Sequence, residues 1–361
     1  MGIYRVEFAD LLTDTTLYRT EVDGLRFGRR IADSEVISGS VTVTERNAAQ
    51  LRELLAKKTA VYVYEGKDLQ VGGIVWDPTA AWDEHSAEQW QFSAATFESY
   101  LNQVVISEDI PPADDVDQLD IARVLVQHMQ SDPSAHIGIQ LDPLVSGVLR
   151  DRTQYLASAN LSYGEALTNL GNVQGGFEWT IDVWIDPSSG ERIKYMRFGY
   201  PRLGSASAVH VIERSSIKSW REKTVQFGTR YRARGGTPQG AGTGEQQPIM
   251  SDVYAATGLL DGGWPRIDVV TDYSTVTSID TLNSHAERDL ANALAATAIP
   301  EISVNLEQVR ITPQAIGETV RVRNRTLLRG ATDLQYRLAG IVVTAGQRGT
   351  AGSATLTLEA L

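Results

Sequence analysis

The chain has 361 residues, 42% of them apolar and 22% charged, a balance that fits a soluble globular protein with material for two or three domains. It carries no cysteine, which excludes disulfide frameworks, thiolate zinc sites and cysteine nucleophiles together. The 45 acidic residues outnumber the 33 basic ones to give a net charge of −12, so the basic excess that tight, sequence-independent nucleic-acid binding requires is missing.

An acidic surface has a different use near DNA: where it lines a channel, it repels phosphates and lets the polymer slide. No run of about 18 apolar residues occurs, so no membrane span is expected. The opening "MGIYRVEFADLL" has neither the basic nor the apolar region of a signal peptide.

The first 106 residues read as a compact β-rich unit. "IYRVEFAD", "GLRFGRR" and "EVISGSVTVTE" are strand-like, the last alternating through Val41 and Val43. "RNAAQLRELLAKK" places Leu51, Leu54 and Leu55 on one side of a short helix. "TAVYVYEGKDLQVGGIVW" predicts two strands around a turn at Glu65–Gly66–Lys67–Asp68. "WQFSAATFESYLNQVVI" adds a strand that runs into an aromatic-rich segment. "WDEH", Trp82 to His85, is expected at the tip of the loop before it.

The composition then shifts at "SEDIPPADDVDQLD", where Asp117 is placed to cap the helix "QLDIARVLVQHMQ". Acidic residues suit a first helical turn, so these aspartates do not require a metal. "SYGE" gives Ser162 and Glu165 the spacing of a capping box for a helix that stops at Gly171. "GGFEWTIDVWID" and "ERIKYMRFGYP" predict a hairpin turning at "PSSG". Residues 107–199 therefore read as a small α/β insertion, and the strand-like run through 200–232 as a return to the first unit.

The last third, 233–361, has one clear helix, expected to start at "SHAE" (a second capping box, Ser284 and Glu287) and to be stopped by Pro300. Four strand-like runs follow: "EISVNLEQV", "ETVRVRNRTL", "LQYRLAGIVVTA" and "SATLTLEAL".

Motifs that carry chemistry are missing. The stretch "RGGTPQGAGTGEQQP", Arg234 to Pro248, is followed by no Gly-Lys-Ser/Thr and opens no helix, so it is neither a phosphate loop nor a dinucleotide fingerprint. It is expected to be a loop between two strands, protruding toward a partner, with Arg234 and Gly240 as candidate interface residues. The histidines at 85, 128, 136, 210 and 285 form no zinc-type pair. There is no nucleophile elbow and no EF-hand pattern.

Trp76, Trp90, Trp179, Trp184 and Trp220 fall in strand-like runs, where a core or interface role is expected. Trp82 and Trp264 lie in turn-rich contexts and are candidate contact residues. "GTRYRARGG" and "RVRNRTLLRG" interleave arginine with apolar residues at strand spacing, which puts the charges on one face of an interface or solvated edge. No catalytic residue, metal or cofactor is expected.

Four stretches in this order resemble the central tail-hub (baseplate hub) proteins of tailed bacteriophages, particularly minor tail proteins of phages infecting actinobacteria. They are "LQVGGIVWDP…WQFSAATFESYLNQVVI", "DIARVLVQHM", "YGEALTNLGNVQGGFEWTIDV" and "HAERDLANALAATAIP" followed by "ISVNL". The likeness spans nearly the whole chain, its weight lies in order and spacing, and nothing in it is a catalytic signature. It implies a mainly β fold with an α+β insertion: two tail-tube-like β-barrels, one from 1–106 and 200–232 and one from 233–361 with one helix, plus the α/β domain at 107–199.

The resemblance further implies a homotrimer whose six barrels make a pseudo-sixfold ring, closed by heterologous contacts. Such a ring sits at the virion tail tip after assembly in the host cytoplasm. It joins the tail tube or distal tail protein to spike or receptor-binding proteins, and surrounds the channel for the tape-measure protein and for DNA in transit. The 234–248 loop would sit at a barrel end. Two other classes stay open: a carbohydrate-binding module using Trp82 or Trp264, and a cell-wall hydrolase whose carboxylate pair is not identifiable from sequence.

Overall fold

The computed structural model describes residues 4–84, 86–152, 154–205, 207, 209–223, 228–237, 247–274, 276–295, 299–328, 330–347 and 350–361. The N-terminal strands are β1 (Tyr4–Asp10), β2 (Thr16–Thr20), β3 (Asp23–Arg30), β4 (Val36–Thr42), β5 (Thr59–Glu65), β6 (Asp68–Asp83) and β7 (Ser86–Thr96), with a short helix α1 (Ala48–Glu53) before β5. They pair antiparallel in the order β3-β4-β7-β6-β5-β1-β2. The β5–β6 turn falls at Gly66, whose φ of 60° a glycine adopts without a Cβ penalty.

The run "TAVYVYE" of β5 shows why this sheet needs covering on both sides. Val61 and Val63 point into one core, Ala60, Tyr62 and Tyr64 into another. A strand with apolar residues on both faces must be covered on both. The second cover is the middle of the chain: α2 (Glu98–Leu101), β8 (Ala113–Asp117), α3 (Gln118–Gln130), β9 (Ile139–Leu141), β10 (Leu149–Arg152), α4 (Tyr163–Gly171), β11 (Glu178–Ile185) and β12 (Arg192–Gly199). Here β11 and β12 form the hairpin, β9 joins β12 in parallel, and β8 pairs with β10.

Both caps read from the sequence form. Asp117 accepts from the Leu119 N–H at 2.9 Å, and Ser162 exchanges hydrogen bonds with Glu165 across α4's first turn. Leu119, Ala122, Leu125, Val126 and Met129 of α3 are buried with Tyr62 and Phe97 in the second core.

The remaining elements are β13 (Val209–Glu213), β14 (Ile217–Lys223), β15 (Arg230–Gly235), β16 (Tyr254–Ala255), α5 (Thr257–Asp261), β17 (Asp268–Tyr273), α6 (Ile279–Ala295), β18 (Ile299–Asn305), β19 (Thr319–Thr326), β20 (Gly330–Thr344) and β21 (Ser353–Ala360). The sequence assigns 200–232 to the N-terminal unit, but its strands pair elsewhere. β13 runs parallel to β19, β14 antiparallel to β18, and β15 lies between β16 and β17 in a separate small sheet. Alternation reports a half-buried strand and carries no information about which strand it pairs with.

β18, β21 and β20 continue the ladder, and Gly340–Thr344 of β20 pair with Arg26–Arg30 of β3. The two halves therefore share one 13-stranded sheet, which among the described residues is an open path with a branch at β20. They also share one core, where Val6, Phe8 and Phe27 pack with Ile302, Leu338 and Leu356.

Between β14 and β18, the small sheet β16-β15-β17 packs on α6 through Ala233, Tyr273, Leu282 and Ala286. Helix α6 begins five residues before the expected Ser284. Ser278 accepts from Thr281 N–H at 3.4 Å, and Leu282, buried completely, already belongs to the packed face. Ser284 and Glu287 thus lie inside the helix. Among the described residues no helix is long and apolar enough to cross a membrane.

Candidate assembly surface

The buried charges of this chain are used to fasten its parts to one another. Arg192 of β12 reaches Glu7 of β1 at 2.7 Å, Asp14 at 3.1 Å and the Tyr64 hydroxyl at 3.0 Å, with the Tyr62 ring beneath it. Burial opposes its charge, but Tyr64, Glu7 and Asp14 outweigh it and hold the Arg192 pKa above its ordinary value. Burial also pushes both tyrosine phenols up and the Lys194 ammonium down; Lys194 donates to the Ile137 carbonyl at 2.9 Å.

A second set joins β3, α2 and β11. Arg29 contacts Asp182 and donates to Thr180 at 3.1 Å, while Glu98 accepts from the Ile181 N–H at 2.8 Å. Burial pushes the Glu98 carboxyl up, with Arg29 opposing. Apart from Glu98 Oε2, these groups satisfy one another across the three elements.

Two recesses stand out among the described residues. One, of about 250 Å³, is lined by Glu98, Asn102, Thr168 and Trp179, and there Glu98 Oε2 and Trp179 Nε1 have no hydrogen-bond partner. The other, of about 400 Å³, opens between Tyr4, Phe27 and Gln70 on one side and residues 306–313 on the other. Burial, with Glu65 beside it, pushes the Tyr4 phenol up to about 12, so it stays a neutral hydroxyl.

The outer surface carries apolar side chains at hairpin tips. Trp82 is 75% exposed where β6 turns into β7, the ladder closing at Asp83 and Ser86. Leu327 and Leu328 stand fully exposed between β19 and β20, beyond the last ladder pair Thr326–Gly330. An isolated exposed leucine is ordinary; two adjacent ones at the end of a hairpin are a candidate contact surface. At the free edge of the sheet, β13 exposes Val209 and Val211.

The residues singled out from sequence fall on separate modules. Trp82 belongs to the N-terminal strands, whereas Trp264 and Arg234 belong to the 228–295 module. Trp264 is about half exposed just after α5, its backbone N–H donating to the Leu259 carbonyl. Arg234 is engaged by its own chain: its guanidinium takes both oxygens of Asp272 across β15 and β17, and this pairing lowers the Asp272 pKa. Gly240 lies outside the described residues, as does His85, although the ends of that loop are drawn together by a bridge between Arg234 and Met250.

Of the strand tryptophans, Trp90 and Trp179 are buried and Trp76 donates to Ser99 at 3.0 Å. The exposed Leu327 and Leu328 were not among the sequence candidates. Their signal is a doubled leucine that breaks the arginine alternation of "RVRNRTLLRG" just before Arg-Gly.

The fold is that of phage tail proteins, as the sequence resemblance implies. The tail protein from Neisseria meningitidis MC58 superposes with a TM-score of 0.63 at 13% identity, covering 100% of this chain and 97% of that one. The 43 kDa tail protein of prophage MuSo2 from Shewanella oneidensis gives 0.61 at 14% identity, over 98% of both chains. Prophage tail protein gp18 from Listeria monocytogenes EGD-e gives 0.52 at 14%, covering 98% of this chain and 94% of that one. No protein-family model and no curated protein matches the sequence.

Proposed function

We propose that this chain is the structural hub of a phage or phage-derived tail tip. Three copies form a pseudo-sixfold ring that joins the tail tube to the tip and surrounds the channel for tape measure and DNA. The role is mechanical, with no chemistry of its own.

The observation that carries this reading is the end-to-end likeness to tail proteins, covering 100% of this chain and 97% of the Neisseria protein. Three features support it. The strands β1–β7 and the set β13, β14 and β18–β21, joined in one sheet, are read as the two tube-type segments each copy brings to the ring. Among the described residues, β2 and β13 are sheet edges whose outer backbone is free to meet a neighbour. The net charge of −12 suits a lumen that DNA must pass without sticking.

The test is the mass of the purified protein across a concentration series, alone and with its tail-tube neighbour. A species of three times 39.5 kDa is expected. A monomer under every condition would sink the ring.

A further inference from the structure

Strand β20 has an apolar knob at one end and a recess at the other. At its start, Leu327 and Leu328 are fully exposed, with Arg325 exposed beside them. At its end, Val343 and Gly346 border the 400 Å³ groove, whose floor includes Tyr4, Phe27 and Ile311. Glu65 and Glu307 line the same groove against one arginine, Arg310. Gln70 also faces it; this side chain is only 5% exposed, yet its Oε1 has no hydrogen-bond partner.

We infer that the Leu327–Leu328 knob of one copy seats in this groove of a second copy. The inference rests on the ring reading above for the presence of that second copy. The chemistry of the two ends matches. The leucines meet an apolar floor, and Arg325 meets the two glutamates. The orphaned Gln70 oxygen accepts a backbone N–H from the incoming turn, which removes the cost of leaving a buried acceptor unpaired.

Knob and groove cannot meet within one copy. The 15 residues of β20 separate them by roughly 50 Å at about 3.3 Å per residue. Knob and groove on one chain make a heterologous contact, which repeats around a ring when its rotation closes.

The cysteine-free chain allows a direct test. Leu328→Cys and Arg310→Cys, both at exposed positions, are prepared separately, mixed and oxidised, with the mass of the unmodified protein measured in parallel. A disulfide requires the two Cα atoms within about 7 Å. The expected result is a cross-linked dimer in the mixture and none from either protein alone. In addition, Arg325→Glu is expected to weaken self-association about tenfold, and Glu307→Arg in the same chain to restore it.

An unmodified protein that is oligomeric, with no mixed cross-link, overturns this contact and leaves the ring standing. Leu328→Cys cross-linking to itself overturns it in favour of a tip-to-tip contact. An unmodified protein that is monomeric at every concentration and gives no cross-link removes both the contact and the ring.

Discussion

Arg337 of β20 and Glu178 of β11 meet in a two-point ion pair, Nη1 lying 2.9 Å from Oε1 and Nη2 against Oε2, with Arg337 only 3% exposed. The same guanidinium donates to the Leu203 carbonyl at 2.9 Å, and Glu178 accepts from the Leu203 N–H at 2.8 Å. This pair thus pins the last third of the chain to the β11–β12 hairpin. Arg337 also pairs with Glu359 at 3.1 Å, so removing Arg337 leaves two carboxylates without their cation, one of them the largely buried Glu178, at a cost of up to about 3–5 kcal/mol. Arg337→Met is expected to lower the urea midpoint accordingly, and Arg337→Met with Glu178→Gln to recover part of the loss. A single-variant cost below about 1 kcal/mol would show the pair to be incidental.

Glu98 gives the opposite expectation. Its folded pKa is raised by burial, so its favourable contribution is present below the unfolded value near ~4.3 and is lost as pH rises through the folded one. At neutral pH its charge is a liability. Glu98→Gln keeps an oxygen for the Ile181 N–H and the Thr180 hydroxyl and replaces the unpartnered Oε2. The variant is expected to be at least as stable as the parent at pH 7, with its advantage shrinking toward pH 4. Chemical denaturation at both pH values reads this, and a variant clearly weaker at pH 7 contradicts it.

Local chemistry made part of this fold legible and global pairing hid the rest. Asp117, Ser162 and Glu165 could be placed because a cap acts within four residues. The hairpin turns at Gly66 and "PSSG" were readable for the same reason. The pairing of β13 with β19 joins residues 110 apart and leaves no local mark. The start of α6 was obscured by its packed face, Leu282, His285, Ala286 and Asp289, where a histidine sits buried because its ring N–H finds the Asn172 carbonyl. For the contact surface, the turn-rich setting of Trp82 pointed to exposure. Leu327 and Leu328 looked like ordinary strand residues.

Trp82 and Trp90 lie eight residues apart on one hairpin and should respond differently. Trp90 is 7% exposed and stacks on Phe92 with ring centres 5.5 Å apart, while its neighbour at the tip is in solvent. Trp90→Ala is expected to cost about 3–5 kcal/mol through the cavity it leaves. Trp82→Ser is expected to stay within about 0.5 kcal/mol of the parent in thermal unfolding. A large stability loss on changing Trp82 would mean that its indole is packed rather than presented.

His285 ties the 228–295 module to the end of α4, and its environment makes that tie sensitive to pH. The ring stacks on Tyr273 at 3.9 Å and hydrogen-bonds the Asn172 carbonyl at 2.6 Å, while Gln174 meets Glu287 nearby. Burial lowers the His285 pKa; the Asn172 hydrogen bond and Asp289 oppose this, and Arg150 adds to it. The folded state therefore prefers the neutral ring. Its contribution is complete above the unfolded value near ~6.5 and is lost as pH falls from there toward the folded value. Stability should decline between pH 7 and pH 5, and backbone exchange at 172–174 and 285–289 should rise first. His285→Phe keeps an aromatic ring on Tyr273 but cannot titrate, so it should be weaker than the parent at pH 7 by about 1 kcal/mol and show a shallower decline toward pH 5. An equal decline in both proteins would place the acid sensitivity elsewhere, among the carboxylates that hold the buried arginines.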